Sequence, residues 1–364
     1  MANVQSANLK LWVYSGVFGQ KAVLTPNYVI YKEKLPTDSI VVFEVSELIR
    51  DFIEISFDGD YDNIQQNVWV EWELTRVFDD ASFDSPPISG SGIAFDGYGY
   101  FEEGINPPLS NGLLQSNTVM YVKEGDLARI PIYTGSNGTF KVEYYKAGTL
   151  LVSNDYGINV TKISIDSIAY RTDNDAGIIT TDLTHLKNQS SNPTSSSVAY
   201  GDPDTAIIVD VYGNETIVYI NYLTECKYDP SKVSFTNKFG VIQDLYFFKR
   251  RDDSISVSKD SFKANTLNFG SSALSYSTGV AQNKDFNVNG TKSLKLNTGF
   301  VDEQFNEVIK QLLMSENVWI HEDGQVYPIR SKTESLEMKK SVNSKLIDYA
   351  IDFDYSFDTI NSIR

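Results

Sequence analysis

The chain has 364 residues and a formal net charge of -17, from 48 acidic and 31 basic residues. This acidic balance opposes a groove that grips phosphates, so we expect no specific nucleic-acid binding. An acidic wall would nevertheless suit a conduit that DNA passes without sticking. The single cysteine excludes an intramolecular disulfide, and two histidines are too few for a histidine-built metal centre. We therefore expect no metal and no cofactor.

The length and the aromatic content predict a mainly β chain. A chain of this length suits two or three domains, and 22 Tyr and 20 Phe favour pleated, half-buried surfaces. We expect two or three β-sandwich or barrel-like domains, with one short N-terminal helix and one amphipathic helix near the C-terminus. The N-terminal residues show no secretory signal and the apolar runs are short, so we expect synthesis in a cytoplasm and no membrane partner.

Residues 1–80 are predicted to form an N-terminal β domain. Runs of β-branched and aromatic residues separated by turn signals predict strands at 9–15, 28–33, 39–45 and 68–78. Between the last two strands, Leu48, Ile49, Phe52 and Ile53 have helical spacing, and Ser46 is a candidate N-cap. The pattern predicts one short helix that covers the end of a sandwich.

Residues 81–117 are rich in Gly, Pro and Ser and have no sustained period. Such a long connection is typical of a linker or a functional loop, and we interpret it as a linker or docking loop. The segment contains aromatic side chains that favour packing on another surface over full solvation, namely Phe95, Tyr98, Tyr100 and Phe101. These four residues are candidate interface residues that contact a neighbouring molecule.

Residues 118–225 are predicted to form a central β-sandwich. Short strands recur there with turn signals between them, and a long polar loop at 184–206 interrupts them.

Residues 226–364 are predicted to form a C-terminal α+β domain. Apolar residues at helical spacing predict an amphipathic helix within 302–314, and an Asp-Gly pair at 323–324 predicts a hairpin turn. The chain ends on a strict alternation that predicts a strand with one buried and one wet face. The expected buried row is Ile347, Tyr349, Ile351, Phe353, Tyr355 and Phe357. The opposite row contains Asp348, Asp352, Asp354 and Asp358.

The residues that could carry chemistry favour a protein that is not an enzyme. The acidic stretch at 58–63 matches a calcium loop only in part, and pairs of neighbouring carboxylates are inevitable in so acidic a chain. Cys226 has no histidine near it in sequence and is predicted to be a buried thiol. Four tryptophans, Trp12, Trp69, Trp72 and Trp319, could form a sugar platform, but core positions are the more common role of such residues.

Three segments together resemble structural proteins of tailed bacteriophages that infect Bacteroidetes, in particular the crAss-like group. They are VVFEVSELIRDFI at 41–53, TECKYDPSKVSFTNKFGVIQDLYFFKR at 224–250, and the closing stretch from SENVWIHEDG at 315 to the end. The resemblance implies a virion protein of the neck or tail, a ring-type component assembled from many copies and stacked with other virion proteins around a DNA and cargo conduit. Asp348, Asp352 and Asp354 would then face solvent, the lumen or basic side chains of the next copy.

Two other interpretations stay open at this point. A baseplate or tail-tip module that binds host-surface carbohydrate predicts exposed aromatic residues on a loop platform. A polysaccharide-degrading enzyme predicts two carboxylates facing each other across a cleft. Under the ring interpretation, the terminal strand is expected to be available to extend a sheet on another copy.

Overall fold

The protein is mainly β, as the sequence predicts. The computed structural model describes residues 3–15, 24–59, 67–104, 112–124, 126, 128–134, 138–158, 164–170, 181–182, 203–210, 212–268, 275–337 and 346–360. Within these ranges it has two α-helices and a 3-10 turn at Phe101–Glu103. Most of the predicted polar loop at 184–206 and most of the acidic stretch at 58–63 lie outside the described residues.

The N-terminal part is a four-stranded antiparallel sheet in the order β2-β1-β3-β4. Its elements are β1 (Val4–Tyr14), β2 (Tyr28–Glu33), α1 (Ser46–Arg50), β3 (Asn67–Phe78) and β4 (Ile88–Phe95). Apolar side chains of β1 and β3 form a core, and the helix covers it because Ile49 and Ile53 pack there. The predicted short helix is therefore present, but Val45 and not Ser46 precedes it, without a side-chain cap.

Two findings correct the expectations for this part. Residues 39–45 form no strand, and the one contact given between this segment and β2 is the hydrogen bond that Lys32 Nζ donates to the carbonyl of Val42 (2.7 Å). The predicted linker, in contrast, contains β4, which pairs with β3 along its whole length. A Cβ on Gly90 would lie 2.2 Å from the Trp72 ring, so glycine is needed for this packing and hides the strand period.

The middle of the chain forms two sheets, in the orders β11-β10-β7-β5 and β6-β13-β12-β8-β9. The strands are β5 (Gly112–Leu113), β6 (Val119–Lys123), β7 (Ala128–Thr134), β8 (Gly138–Lys146), β9 (Thr149–Ile158), β10 (Ser164–Tyr170), β11 (Thr181–Asp182), β12 (Thr205–Val209) and β13 (Glu215–Leu223). Ile130 and Ile132 of β7 are fully buried in one core with Val142 of β8 and Ile208 of β12. This core joins the two sheets as the layers of a sandwich.

The C-terminal part is a seven-stranded antiparallel sheet in the order β15-β14-β20-β21-β22-β19-β16. Its elements are β14 (Ser231–Thr236), β15 (Ile242–Phe247), β16 (Asp252–Lys263), β17 (Leu267–Asn268), β18 (Ser275–Tyr276), β19 (Asn283–Asp302), α2 (Phe305–Met314), β20 (Val318–Glu322), β21 (Gln325–Ser331) and β22 (Leu346–Tyr355). The apolar face of α2 lies on one face of this sheet, in the largest core of the described chain.

The terminal strand has the predicted alternation of buried and exposed side chains, but it is not a free edge strand. Ile347, Tyr349, Ile351, Phe353 and Tyr355 are all buried, whereas β22 ends at Tyr355 and Phe357 is exposed. The strand lies in the sheet interior, because Phe353 pairs with Ser331 of β21 on one side and Leu294 of β19 on the other. The expectation that it extends a sheet on another copy is therefore wrong.

Candidate functional site

The aromatic loop after β4 folds onto its own chain. The Tyr98 backbone N–H donates to the carbonyl of Lys238 (2.8 Å), and the Tyr100 hydroxyl donates to Glu307 Oε1 on α2 (2.8 Å). Lys310 Nζ lies 3.4 Å from the Tyr100 ring centroid, a cation–π contact. Burial and the Glu307 carboxylate raise the pKa of the Tyr100 hydroxyl well above its usual value.

The four candidate interface aromatics of this loop thus have different surroundings. Phe95 packs in a small core with Leu114 and Val241, and Tyr98 stacks edge-on against Tyr100. The ring of Phe101 is fully exposed. Of the four predicted residues, Phe101 alone presents its whole side chain to solvent.

Buried amides fix this loop and the following segment to the C-terminal sheet. The Asn237 side chain donates to the carbonyl of Leu114 (2.7 Å) and to Gln243 Oε1 (3.1 Å). The Gln243 amide in turn donates to Asn117 Oδ1 (2.9 Å). Gln311, which interrupts the apolar stripe of α2, donates to Ser116 Oγ (2.6 Å). A sequence pattern built on apolar residues gives no signal for such a network, because its partners are far apart in the chain.

The acidic face of β22 meets basic side chains of the same molecule. Asp354 accepts from Ser293 Oγ (2.6 Å) and lies 3.5 Å from Lys332 Nζ. Asp352 Oδ2 lies 3.7 Å from Lys295 Nζ, with both side chains about half exposed. Asp348 is half-buried opposite Phe300 of β19. The structure places these three aspartates on one strand, 247 or more positions after the aromatic loop in sequence.

A buried Ser-His-Asp cluster lies on the face of the C-terminal sheet opposite α2. The Ser234 hydroxyl donates to Asp244 Oδ1 (2.6 Å) and lies 2.7 Å from His321 Nε2. The Ser234 proton goes to Asp244, so its oxygen accepts from Nε2–H of a neutral imidazole. Burial lowers the pKa of His321 to about 4, against the attraction of Asp244.

This cluster does not have the geometry of a nucleophilic triad. In a triad the histidine lies between the serine and the acid and takes the serine proton. Here the serine lies between the other two, its side chain is fully buried, and the Asp244 carboxylate is also paired with Lys232 Nζ (2.9 Å). The arrangement holds three strands together and presents no exposed nucleophile.

The tryptophans and the cysteine singled out in the sequence do not form a common site. Trp12, Trp69 and Trp319 are buried, in accordance with core roles, and Trp72 packs over Gly90. Cys226 is exposed, which corrects the prediction of a buried thiol. It follows β13 in a polar connection, where its neighbours in sequence are charged.

The most exposed feature of the described chain is a long hairpin that the sequence analysis missed. β16 pairs with the first 13 of the 20 residues of β19, from Asp252 opposite Lys295 to Lys263 opposite Asn283. We call residues 254–292 the hairpin arm. All twelve residues of β16 are exposed, and so are the first six of β19. Ten strand residues give the arm a reach of about 30 Å.

The hairpin arm carries apolar side chains that the rest of the described chain does not cover. The exposed fraction is 56% for both Ile255 and Val257. Further along, Phe262 and Phe286 touch edge to face (5.7 Å between ring centroids) and remain almost half exposed. A register shift between Ser258 and Asp260, with Asn287 at a φ of 49°, is a bulge that bends the arm.

The described residues contain no group of three or more His, Cys, Asp or Glu side chains placed to hold a metal ion. No helix in the same ranges is long and apolar enough to cross a bilayer. In comparisons with known proteins, no protein-family model, no curated protein and no solved structure matches the chain.

Proposed function

We propose that this protein is a structural component of a tailed-phage virion, a ring-forming neck or tail protein that assembles as a multimer around the DNA and cargo conduit. It is made in the host cytoplasm and resides in the virion, where it contacts its own copies and other neck or tail proteins. The resemblance of three sequence segments to such proteins supports this function, and the hairpin arm is the structural observation that carries it.

The hairpin arm needs a neighbour for physical reasons. At its base, Asn289 and Gly290 bond to Thr359 and Ile360, but the arm has no third strand among the described residues. A two-stranded hairpin of this kind is marginally stable in water. The side chains of Ile255, Val257 and Phe262 are about half exposed. Burying the exposed part of each would stabilise the protein by roughly 1 kcal/mol. A second molecule that covers the arm recovers this energy and orders the strands. An arm of this kind is therefore suited to assembly and not to an isolated monomer.

A head-to-tail mode of assembly is expected because the arm and the surface that it contacts are different parts of the chain. An arm that fits a different surface on the next copy makes a heterologous, head-to-tail contact, and such contacts generate rings when the rotation closes. The net charge of -17 suits a wall that DNA must pass without being retained. The function proposed here needs no bond-making chemistry.

Sedimentation velocity of the full chain and of an armless variant tests this function. In the armless variant an Asn-Gly turn replaces residues 257–290, because Ser256 and Thr291 lie opposite each other. We expect multimers of the full chain and a folded monomer of the variant. A full chain that sediments as a monomer, as the variant does, at all concentrations up to several milligrams per millilitre would contradict the proposal.

The alternative, a carbohydrate-binding tail-tip module, has one feature in its favour. A cleft of about 410 Å³ lies between α1, the aromatic loop and the end of α2. Arg50 crosses it, with Nε 2.8 Å from Asp96 and Nη2 2.8 Å from Glu316, and Tyr98 lines its wall. Binding of the purified chain to a glycan array, lost in Tyr98→Ala and kept in the armless variant, would favour this alternative over the ring.

A further inference from the structure

We propose that the hairpin arm of one copy docks on the free edge of β2 in the next copy, where β16 and β2 pair as strands of one continuous sheet. This inference rests on the proposed multimeric function and specifies its contact. The occupant of the β2 edge is thus a second copy of this chain. Both strands lie at the edge of their sheets, β16 in the seven-stranded sheet and β2 in the N-terminal one.

The β2 edge has the properties of an acceptor. Among the described residues, β2 pairs with β1 on one side and has no partner strand on the other. An uncovered edge presents a row of backbone donors and acceptors that another strand can pair with. Proteins commonly protect such edges, yet this one carries exposed apolar side chains, with Val29 and Tyr31 at exposed fractions of 59% and 60%.

The apolar surface continues beyond β2 itself. The segment that follows the strand contains Leu35, Ile40 and Val42, each more than half exposed. The long side chain of Lys32 links this segment to β2, since its Nζ donates to the carbonyl of Val42. The resulting patch is larger than the scattered single exposures that are normal on protein surfaces, and such patches mark interaction sites.

The two edges match in spacing. Val29 and Tyr31 are two positions apart and therefore lie on one face of β2. Ile255 and Val257 are likewise two positions apart on one face of β16. When the two strands pair, β-branched and aromatic side chains of both copies become cross-strand neighbours, the contacts that stabilise a sheet. The serines that alternate with Ile255 and Val257 face the other side.

The two surfaces also match in charge. The hairpin arm, residues 254–292, carries four lysines and two aspartates, a net charge of +2 in a chain of -17. The acceptor region, residues 24–54, carries six acidic and three basic residues, a net charge of -3. Opposite charges steer the two surfaces together, whereas two arms or two acceptors repel each other. The charge difference therefore favours arm-to-body contacts over symmetric arm-to-arm contacts.

Disulfide trapping between two differently sized variants tests the contact. In a Cys226→Ser background, an affinity-tagged copy carries Ile255→Cys or Val257→Cys, and an untagged copy carries Val29→Cys or Tyr31→Cys. The four mixtures are oxidised with copper–phenanthroline. We expect at least one of them to form the tagged–untagged covalent dimer at a tenfold or greater yield over the control. The control pairs the same arm variants with Phe300→Cys, a body position of similar exposure (67%).

A second variant measures the same contact without cysteines. Val29→Asp with Tyr31→Asp places two carboxylates on the acceptor face and should raise the dissociation concentration of the multimer at least tenfold. Phe300→Asp is the matched control and should leave it unchanged. Circular dichroism and thermal unfolding of the exposed-site variants verify that each remains folded.

The outcomes separate this inference from the proposed function. A multimeric full chain with trapping at the control level overturns the β2 contact and leaves the multimer intact. Efficient trapping of a Val257→Cys arm with a second Val257→Cys arm also overturns it, because that result assigns a symmetric contact. A monomeric full chain overturns the proposed function together with the contact.

Discussion

His321 lies at the point where the N-terminal segment covers the C-terminal sheet. Its ring packs edge-on against Phe57 (5.7 Å between centroids), and Ser234 holds its Nε2. Burial is the largest effect on the pKa of the imidazole and lowers it. The Asp244 carboxylate raises this pKa, whereas the positive charges of Lys232 and Arg129 lower it further. The pKa of about 4 therefore means that the folded protein keeps this histidine neutral at neutral pH.

The low pKa of His321 predicts acid sensitivity. The unfolded chain protonates this residue below its ordinary value of 6.5, while the folded chain does so only below about 4. The unfolded state therefore binds more protons between these values, so the free energy of unfolding falls as the pH drops from 6.5 to 4 and levels off below 4. The full loss is about 3 kcal/mol.

Urea denaturation of the wild type and of His321→Gln at pH 7, 5.5 and 4 measures this effect. The glutamine amide can still donate to Ser234 but does not titrate, so the variant should lack the histidine contribution. Carboxylates that titrate in the same range act on both proteins and cancel in the difference. Stability curves that remain parallel from pH 7 to 4 would contradict the assignment.

At the scale of single elements, regular patterns could be predicted and long-range partners could not. The stripe of α2 and the alternation of β22 are local signals, and the buried residues Phe305, Ile309 and Ile351 lie where these patterns place them. The hairpin of β20 and β21 is also present, with Asp323 and Gly324 as its turn.

The elements that sequence reasoning missed have identifiable causes. β4 was hidden because Gly90 replaces a side chain to admit the Trp72 ring. The hairpin arm was missed because its apolar alternation is short, as at Ile255 and Val257, and most of its other residues are Ser, Asn, Lys and Asp. The aromatic loop was expected to meet a neighbour, but Tyr100 meets Glu307, more than 200 positions away, and no local pattern encodes that contact.

The turn between β20 and β21 gives a prediction at this scale. Asp323 and Gly324 have φ values of 49° and 75°, so both lie in the left-handed region that hairpin turns of two residues require. Gly324→Ala should lower the free energy of unfolding by about 1–2 kcal/mol through backbone strain alone, because no atom lies within 4 Å of the added Cβ.

Gly92→Ala is the matched control for this turn. Gly92 of β4 also has open space around the added Cβ, but its φ is not positive. Its replacement should change stability by less than about 0.5 kcal/mol, as is usual for surface substitutions. Equal losses in the two variants, measured by chemical denaturation, would show that the turn conformation is not the cause.

At the scale of the whole molecule, packing energy is distributed unevenly. Three large cores, on the N-terminal sheet, in the sandwich and beneath α2, are closed by side chains of this chain. The hairpin arm and the β2 edge expose apolar side chains instead, on two different sheets. A head-to-tail array of copies would bury both exposed surfaces, because the arm of each copy covers the β2 edge of the next.

Native mass spectrometry of the unmodified full chain tests this account most directly. The chain has a mass of 40.8 kDa, and each assembly has an integer multiple of it. The account predicts one dominant closed multimer at low micromolar concentration, which the armless variant does not form. A spectrum that contains only the 40.8 kDa species up to high micromolar concentration, identical for both proteins, would contradict it.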